Sequence, residues 1–548
     1  MVSEAVGVRT WRGRIMRLAS IVATLVMLGL VWASRAAAVS PPVTAGTPLS
    51  NQPPSVAVDS AGSATVAWGN TTGAMPSVQY CVIGVGGKGC AHSGTLTLAD
   101  GALGIDGVNV VADGGTTVIL ADVFGTQGTN AGDYQPEQEW QSTDGGATFN
   151  IVNGGLSVAS ANINADTGPL NAIIVPGTNV LGFGWDTPGS PPTFNAFPLS
   201  APPECSKTKP CPFASLQSPT EQQLGNTGGH FASQAGAHPG VLGVFPNQFS
   251  NGPLGCLLDG LLFAYGAGNQ QAGNDYNTSP GSAGSAWTGT VALGQCGVKQ
   301  FTAGGGPSGF GVLESDETHG RTVYQPFNQT TKAFGSMVAV ANQGELYPSL
   351  SQDGAGGIYA TYMYGGTGGP VALSYSSNGG KTWSGPVQLD AYNGEANVTS
   401  AVNGAGQGWV AWNNNGSVFA QPFTAADAAT APVVNGSGST NGNTITVTVT
   451  CNAFPCTVTI TILGPPKVAA DVARTHKNAK PTILARGRFT ITEAGPRKLT
   501  IPLKGAGKRF FKAHQGTVKV TGTFADTFKG RTVTSTRTIR VKIRTKHH

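Results

Sequence analysis

Short apolar runs separated by turn residues organise the chain, and one two-strand phrase recurs along most of it. PPSVAVDSAGSATVAWGN (53–70) returns as YPSLSQDGAGGIYATYMYG (347–365) and VTSAVNGAGQGWVAWNNNG (398–416). In each copy a short strand leads to a turn of Asp, Asn, Ala and Gly and then to a second, aromatic-bearing strand, as a hairpin requires. Weaker copies stand at 108–124, 171–187, 235–249 and 309–327. Seven hairpins at this spacing predict an all-β fold, a β-propeller of seven four-stranded blades, with six blades possible if two weak copies share one blade. The last copy offers about three strands, and VTAGTPLS (43–50) is the segment that could supply its fourth and close the ring. After residue 443 the pattern changes: NTITVTVTCNAFPCTVTITILG alternates Thr with Val or Ile at period two, and 488–495, 497–504, 516–526 and 532–544 continue as strands. A small antiparallel sandwich of immunoglobulin-like type is expected there, with one brief helical stretch at 507–515.

Composition strengthens the all-β reading. The 548 residues include 80 Gly and 35 Pro with only 11% charged residues, yet 40% are hydrophobic, enough to bury a core. Charge then divides the chain. Residues 39–432 carry 7 Lys or Arg against 23 Asp or Glu, whereas residues 433–548 carry 20 against 3, so a net −16 is followed by a net +17. The composition shifts at the same place, through a small polar stretch. The expected organisation is a signal segment over 1–38, an acidic propeller over 39–426, a linker over 427–442 and a basic domain over 443–548.

The amino terminus has the form of a secretory signal. Arg9, Arg12, Arg14 and Arg17 precede an apolar run from Leu18 to Ala33, and Ala36, Ala37 and Ala38 supply small residues for cleavage after Ala38. The run is shorter than the roughly 20 residues of a spanning helix, and no spanning run follows it. Export brings oxidising conditions, so the eight cysteines are expected as sequential disulfides: Cys81 with Cys90, Cys205 with Cys211, Cys256 with Cys296, and Cys451 with Cys456.

Two eight-residue segments sharpen the propeller expectation. STDGGATF supplies Ser142, Asp144, Gly146, Thr148 and Phe149; SSNGGKTW supplies Ser376, Asn378, Gly380, Thr382 and Trp383. They resemble the Asp-box, or BNR repeat, Ser-x-Asp-x-Gly-x-Thr-Trp, of the sialidase-like propeller superfamily. That resemblance implies turn residues on the blade periphery rather than catalytic ones. The sialidases of the superfamily clamp a carboxylate with three arginines, but residues 39–432 contain only Arg321, so sialidase chemistry is not expected.

Other chemistry finds little support. Asp59, Asp113, Asp353 and Glu314 lie at turns or strands where a carboxylate pair could form for a neutral glycoside, although Asp beside Gly or Ser is an ordinary turn residue. His92, His230, His238 and His319 have no metal-ligand spacing, so neither metal nor cofactor is expected. The basic strands alternate their cations with Thr and Val, which favours an anionic cell envelope over nucleic acid as partner. The function expected is a secreted, non-catalytic propeller that recognises a glycan or a protein; the alternative is an extracellular glycosidase acting on a non-sialic sugar.

Overall fold

The computed structural model describes residues 42–46, 53–70, 76–98, 102–125, 137–156, 298–316, 320–328, 331, 333–342, 346–365, 369–389, 395–414, 416–430, 433–464, 481–492 and 495–543, and between 157 and 297 the backbone of strands only. The signal segment and the cysteines at 205, 211, 256 and 296 lie outside the described residues, as do His238 and His319.

Seven antiparallel sheets follow one another along the chain. Blade 1 is Ser55–Val58, Ala64–Asn70, Ser77–Ile83 and His92–Thr97; blade 2 is Ala102–Asp113, Thr116–Gly125, Glu137–Ser142 and Asn150–Leu156. Blade 3 is Asn171–Val175, Val180–Trp185, Thr193–Pro198 and Ala214–Gln217; blade 4 is His230–Gln234, Gly240–Ser250, Leu258–Gly266 and Trp287–Ala292. Blade 5 is Val298–Gly304, Phe310–Asp316 and Arg321–Asn328, with Ala333–Phe334 and Val338–Ala341 sharing its outer edge; blade 6 is Leu346–Gln352, Ile358–Met363, Val371–Ser376 and Val387–Gln388. Blade 7 is Glu395–Val402, Gln407–Asn414 and Ser417–Thr424, and Val43–Gly46 completes it by pairing antiparallel with the third of these. The first strand of each blade packs against the first strands of the blades on either side, and the seven close into a ring. The protein is a seven-bladed β-propeller, and each repeated phrase falls in its own blade. Two are offset: 309–327 spans the second and third strands of blade 5, because the first strand, Val298–Gly304, precedes the phrase, and 235–249 reaches only the second strand of blade 4, because His230–Gln234 precedes it.

Burial explains the strand compositions. Ile358–Met363 and Val371–Ser376 are buried at every position, since blades press on both faces of a middle strand, and such strands read as continuous apolar runs. On the outer strand His92–Thr97 only Leu96 is buried. Trp409 and Trp412 are among the largest fully enclosed side chains. Ring closure adds specific bonds, because Trp409 Nε1 donates to Gly62 O at 3.1 Å, Asn403 Nδ2 to Asp59 O at 2.8 Å and Thr399 Oγ1 to Pro54 O at 2.8 Å.

The basic domain is all-β, and its hydrogen-bonded strand order is continuous. Its strands Val433–Thr440, Thr444–Thr450, Cys456–Leu463, Ile483–Ile491, Arg497–Pro502, Thr517–Phe528 and Arg531–Ile543 form a single seven-stranded sheet. The cause lies in the stretch expected as linker: Val433–Thr440 is a strand that pairs antiparallel with Thr444–Thr450 and parallel with Arg531–Ile543, linking the strands on either side. The edges meet again at an Ala485–Leu503 bridge, so the sheet curls around Ile460, Ile501, Phe524 and Ile539, all fully buried. A helix, Gly505–Lys512, covers one opening with Phe511 buried beneath it.

This domain is docked rather than tethered. Asn452 Nδ2 donates to Gly385 O and Ala428 O, each at 3.1 Å, and its Oδ1 accepts from Gly385 N at 3.0 Å. Phe528 packs edge-on against Tyr375 with ring centroids 5.7 Å apart. Arg531 Nη1 bonds Asp427 Oδ1 at 2.7 Å, and Asp427 Oδ2 accepts from Thr424 N at 2.8 Å.

Candidate binding face

Strands alternate in direction, so each blade places its first and third turns at one end of the ring and its second turn and exit at the other. The two ends differ chemically. At the first end lie both Asp-box-like segments. Ser142 Oγ donates to Asp144 Oδ1 at 2.8 Å, Gly146 N donates to Ser142 Oγ at 2.8 Å, and Thr148 donates through N at 3.0 Å and Oγ1 at 2.6 Å to the Asp144 carboxylate. These bonds hold the Asp144 carboxyl well below the usual carboxylate range, the Thr148 hydroxyl contributing most. In blade 6, Ser376 Oγ donates to Asn378 Oδ1 at 3.0 Å, Gly380 N to Ser376 Oγ at 3.0 Å and Thr382 N to Asn378 Oδ1 at 3.0 Å. One bond reverses direction: Asn378 Nδ2 donates to Thr382 Oγ1 at 2.8 Å, because an amide nitrogen stands where a carboxylate oxygen does in blade 2.

Both turns press on the preceding blade. Phe149 meets Tyr80 at 4.7 Å between centroids, and Trp383 meets Tyr324 at 5.3 Å, each tyrosine belonging to the third strand of the blade before. Gly146 and Gly380 have φ of 84° and 80°, and an added Cβ would lie 2.5 Å from Val82 Cγ2 or 2.1 Å from the Tyr324 ring. Glycine at these two positions is therefore fixed by backbone conformation and by the neighbouring blade together. Phe149, Trp383, Gly146 and Gly380 thus meet the neighbouring blade, while Ser142, Asp144, Thr148, Ser376, Asn378 and Thr382 bond within their own turns.

The first-end aspartates serve turns as well. Asp59 Oδ1 accepts from Ser63 N at 2.8 Å. Asp353 accepts from Ala355 N at 2.9 Å, Gly357 N at 2.7 Å and the Tyr359 hydroxyl at 2.8 Å. Asp113 opens the two-residue turn to Thr116. Turns also grip one another across blades, since Gly354 N donates to Gly404 O at 2.9 Å and Ser308 Oγ to Gly356 O at 2.6 Å.

The opposite end, which we take as the mouth of the ring, carries the second turns and the blade exits. Here the innermost strands of blades 6 and 7 carry matching bulges, between Leu346 and Ser349 and between Ala396 and Thr399. Each bulge holds a non-glycine residue in the left-handed region: Tyr347 at φ 50° and Asn397 at φ 56°. Such conformations cost about 1–3 kcal/mol and gather at functional sites, where a bulge re-aims a side chain. Tyr364 is exposed in the loop after Ile358–Met363, at this same end of blade 6. Just inside, Ser400 Oγ receives Thr361 Oγ1 at 2.7 Å and lies 3.1 Å from Ser349 Oγ, a hydroxyl chain joining blades 6 and 7. Sequence reasoning missed Tyr347 and Asn397, although they stand where two repeat copies begin; left-handed backbone is common for Asn, but nothing marks it for Tyr.

Among the described residues two glutamates are buried in the blades. Glu139 stands on the third strand of blade 2, and burial pushes its carboxyl up to about 8. Glu314 is fully enclosed on the second strand of blade 5, toward the mouth, where Arg321 opens the next strand opposite Asp316. Neither Glu139 nor Glu314 is on an innermost strand. His92 is exposed at the start of an outer strand, and His230 begins the first strand of blade 4. Cys81–Cys90 and Cys451–Cys456 are disulfides with Cα atoms 5.3 and 6.6 Å apart. Among the described residues the one grouping with metal-like spacing is Cys451, Cys456 and Asp526, and its two sulfurs are bonded to each other. No described helix is long and apolar enough to cross a membrane.

No protein-family model matches the chain, and no curated protein does. Among solved structures it is similar to an α-L-arabinofuranosidase of Fusarium graminearum in complex with an iminosugar inhibitor, at 9% identity and a TM-score of 0.41, over 70% of this chain and 98% of that one. It is also similar to the NanB sialidase of Streptococcus pneumoniae, at 10% identity and 0.37, over 57% of this chain and 64% of that one. A third is AofleA of Arthrobotrys oligospora, at 11% identity and 0.37, over 69% and 85%. Likeness at this level concerns fold and carries nothing about chemistry.

Proposed function

We propose that the protein is an extracellular, non-catalytic binding protein whose propeller takes a neutral glycan at the channel mouth, while the basic domain holds it against an anionic surface. The observation that carries the first half is the pair of matching left-handed bulges. They put Tyr347 and Asn397, both half-buried, on neighbouring innermost strands, Tyr347 packing in part on the core of blades 6 and 7, with Tyr364 exposed at the same end. An aromatic face and a carboxamide are what a sugar ring needs, one surface for its apolar side and paired donors and acceptors for its hydroxyls. Asp59, Asp113 and Asp353 stand in hairpin turns at the other end of the ring, so these three do not supply a carboxylate pair here.

The test pairs a glycan array with chromogenic glycosides. Binding to a neutral glycan without turnover, lost in Tyr347→Ala and weakened in Asn397→Gly, is the expected result; the glycine keeps the left-handed backbone while removing the amide. Turnover abolished by Glu314→Gln would replace this reading with the glycosidase.

A further inference from the structure

We infer that the open end of the hairpin Thr517–Phe528 and Arg531–Ile543 is a binding strip for an acidic polysaccharide, formed by Lys519, Arg540 and Lys542. The inference deepens the surface-contact half of the proposed function and rests on it. Register sets the strip: Lys519 lies directly opposite Arg540, and Thr517 opposite Lys542, two residues further along the same strand. All three cations are exposed. Neighbouring strands are about 4.8 Å apart and alternate residues about 7 Å apart, so three positive charges share one small patch. Like charges directly opposite one another in a sheet oppose folding. Among the described residues of the domain no exposed acid offsets them: of the three acids after residue 433, Asp526 is fully buried, and Asp471 and Glu493 lie outside the described residues. The acidic propeller is remote as well. Phe528 and Arg531, which contact it, sit at the turn of this hairpin, nine residues from Lys519, or about 30 Å along the strand.

The surroundings of the strip select the partner. Outward positions beside the cations are Thr521 and Thr538, paired in register, and Ser437, paired with Arg540, so hydroxyls flank the charges and can bond sugar oxygens. A bilayer would need an apolar fringe, but Ile483 is the one large apolar side chain exposed among the described residues of the domain. Single-stranded nucleic acid would need aromatic platforms, and these outward positions hold none. The strip is an open ribbon surface, which suits a linear polymer with repeating carboxylates.

The test uses the full chain and polygalacturonate, with neutral dextran, phosphatidylglycerol vesicles and single-stranded DNA as further arms. Wild type should bind polygalacturonate in a salt-sensitive way and ignore dextran. Replacing Lys519, Arg540 and Lys542 together by Gln should weaken binding at least about tenfold. Replacing Lys508, Arg509 and Lys512 of the exposed helix face by Gln removes equal charge and should change it less than about twofold. Arg540→Gln alone, and the charge-conserving pair Lys519→Arg with Lys542→Arg, separate loss of the strip from loss of fold. Equal losses in strip and helix variants overturn the strip, and preference for vesicles or DNA overturns the choice of polymer. No binding by wild type to any anionic arm would instead sink the surface-contact reading itself.

Discussion

The two regions of this molecule use charge in opposite ways. In the propeller, few charges are present and three aspartates at turns are engaged: Asp144 and Asp353 each gather several donors, and Asp59 caps its hairpin. In the basic domain, Lys519, Arg540 and Lys542 stand exposed along outward strand positions, and Arg531 bonds an acid across the domain boundary. A charge that builds a turn can be inferred to be structural from its bonds. A charge that raises the energy of its own sheet invites an external partner.

This contrast can be broken most directly by mutation at Asp353. Asp353→Ala strands two turn amides and the enclosed Tyr359 hydroxyl, and should lower stability by about 3 kcal/mol in urea unfolding. Lys519→Ala, by comparison, should stay within about 0.5 kcal/mol of wild type or stabilise slightly. Comparable losses would mean that the cations are structural too.

Blade packing is sharpened by adjacent glycines. Gly380→Ala should cost about 2–3 kcal/mol, because its Cβ meets Tyr324, whereas Gly379→Ala, at φ 69° with open space around it, should cost about 1 kcal/mol. At the boundary between regions, Asn452→Ala removes three hydrogen bonds and should cost about 1–2 kcal/mol, read as separate melting of the two regions.

The smallest effect is a pH slope of opposite sign in each region. The lowered Asp144 carboxyl stabilises blade 2 above the ordinary carboxylate range near pH ~4, and that contribution fades as pH falls toward its folded value. Asp526 is the reverse: burial raises it to about 7, so its contribution is whole below pH ~4 and is lost as pH rises through about 7. Hydrogen exchange by region should show the two slopes, and Asp526→Asn should flatten that of the basic domain alone.

Much of the fold was legible because its units are local. Each repeat phrase is a hairpin whose turn bonds join residues four apart, as Asp59 to Ser63 or Asp353 to Gly357, so sequence alone could position it. The Asp-box-like segments are local in the same sense, since the bonds that shape their turns lie inside eight residues, although Ser377 Oγ also donates to Phe454 O of the basic domain. The closing role of Val43–Gly46 could be anticipated from a missing strand, though the pairing spans most of the chain. The candidate mouth was not legible, since the left-handed backbone at Tyr347 reflects the bulge and the adjoining blade rather than the preference of a tyrosine followed by proline.

Period, turn chemistry and the reversal of charge belonged to the sequence by itself, and they determined that a ring of blades precedes a basic β-domain. Tertiary structure decided the rest. It made a strand of the polar stretch Val433–Thr440, which pairs on both sides and links the strands of the basic domain, and it set Lys519 against Arg540. Both outcomes depend on register between segments distant in sequence, and register is fixed by which side chains share the enclosed face once the strands meet.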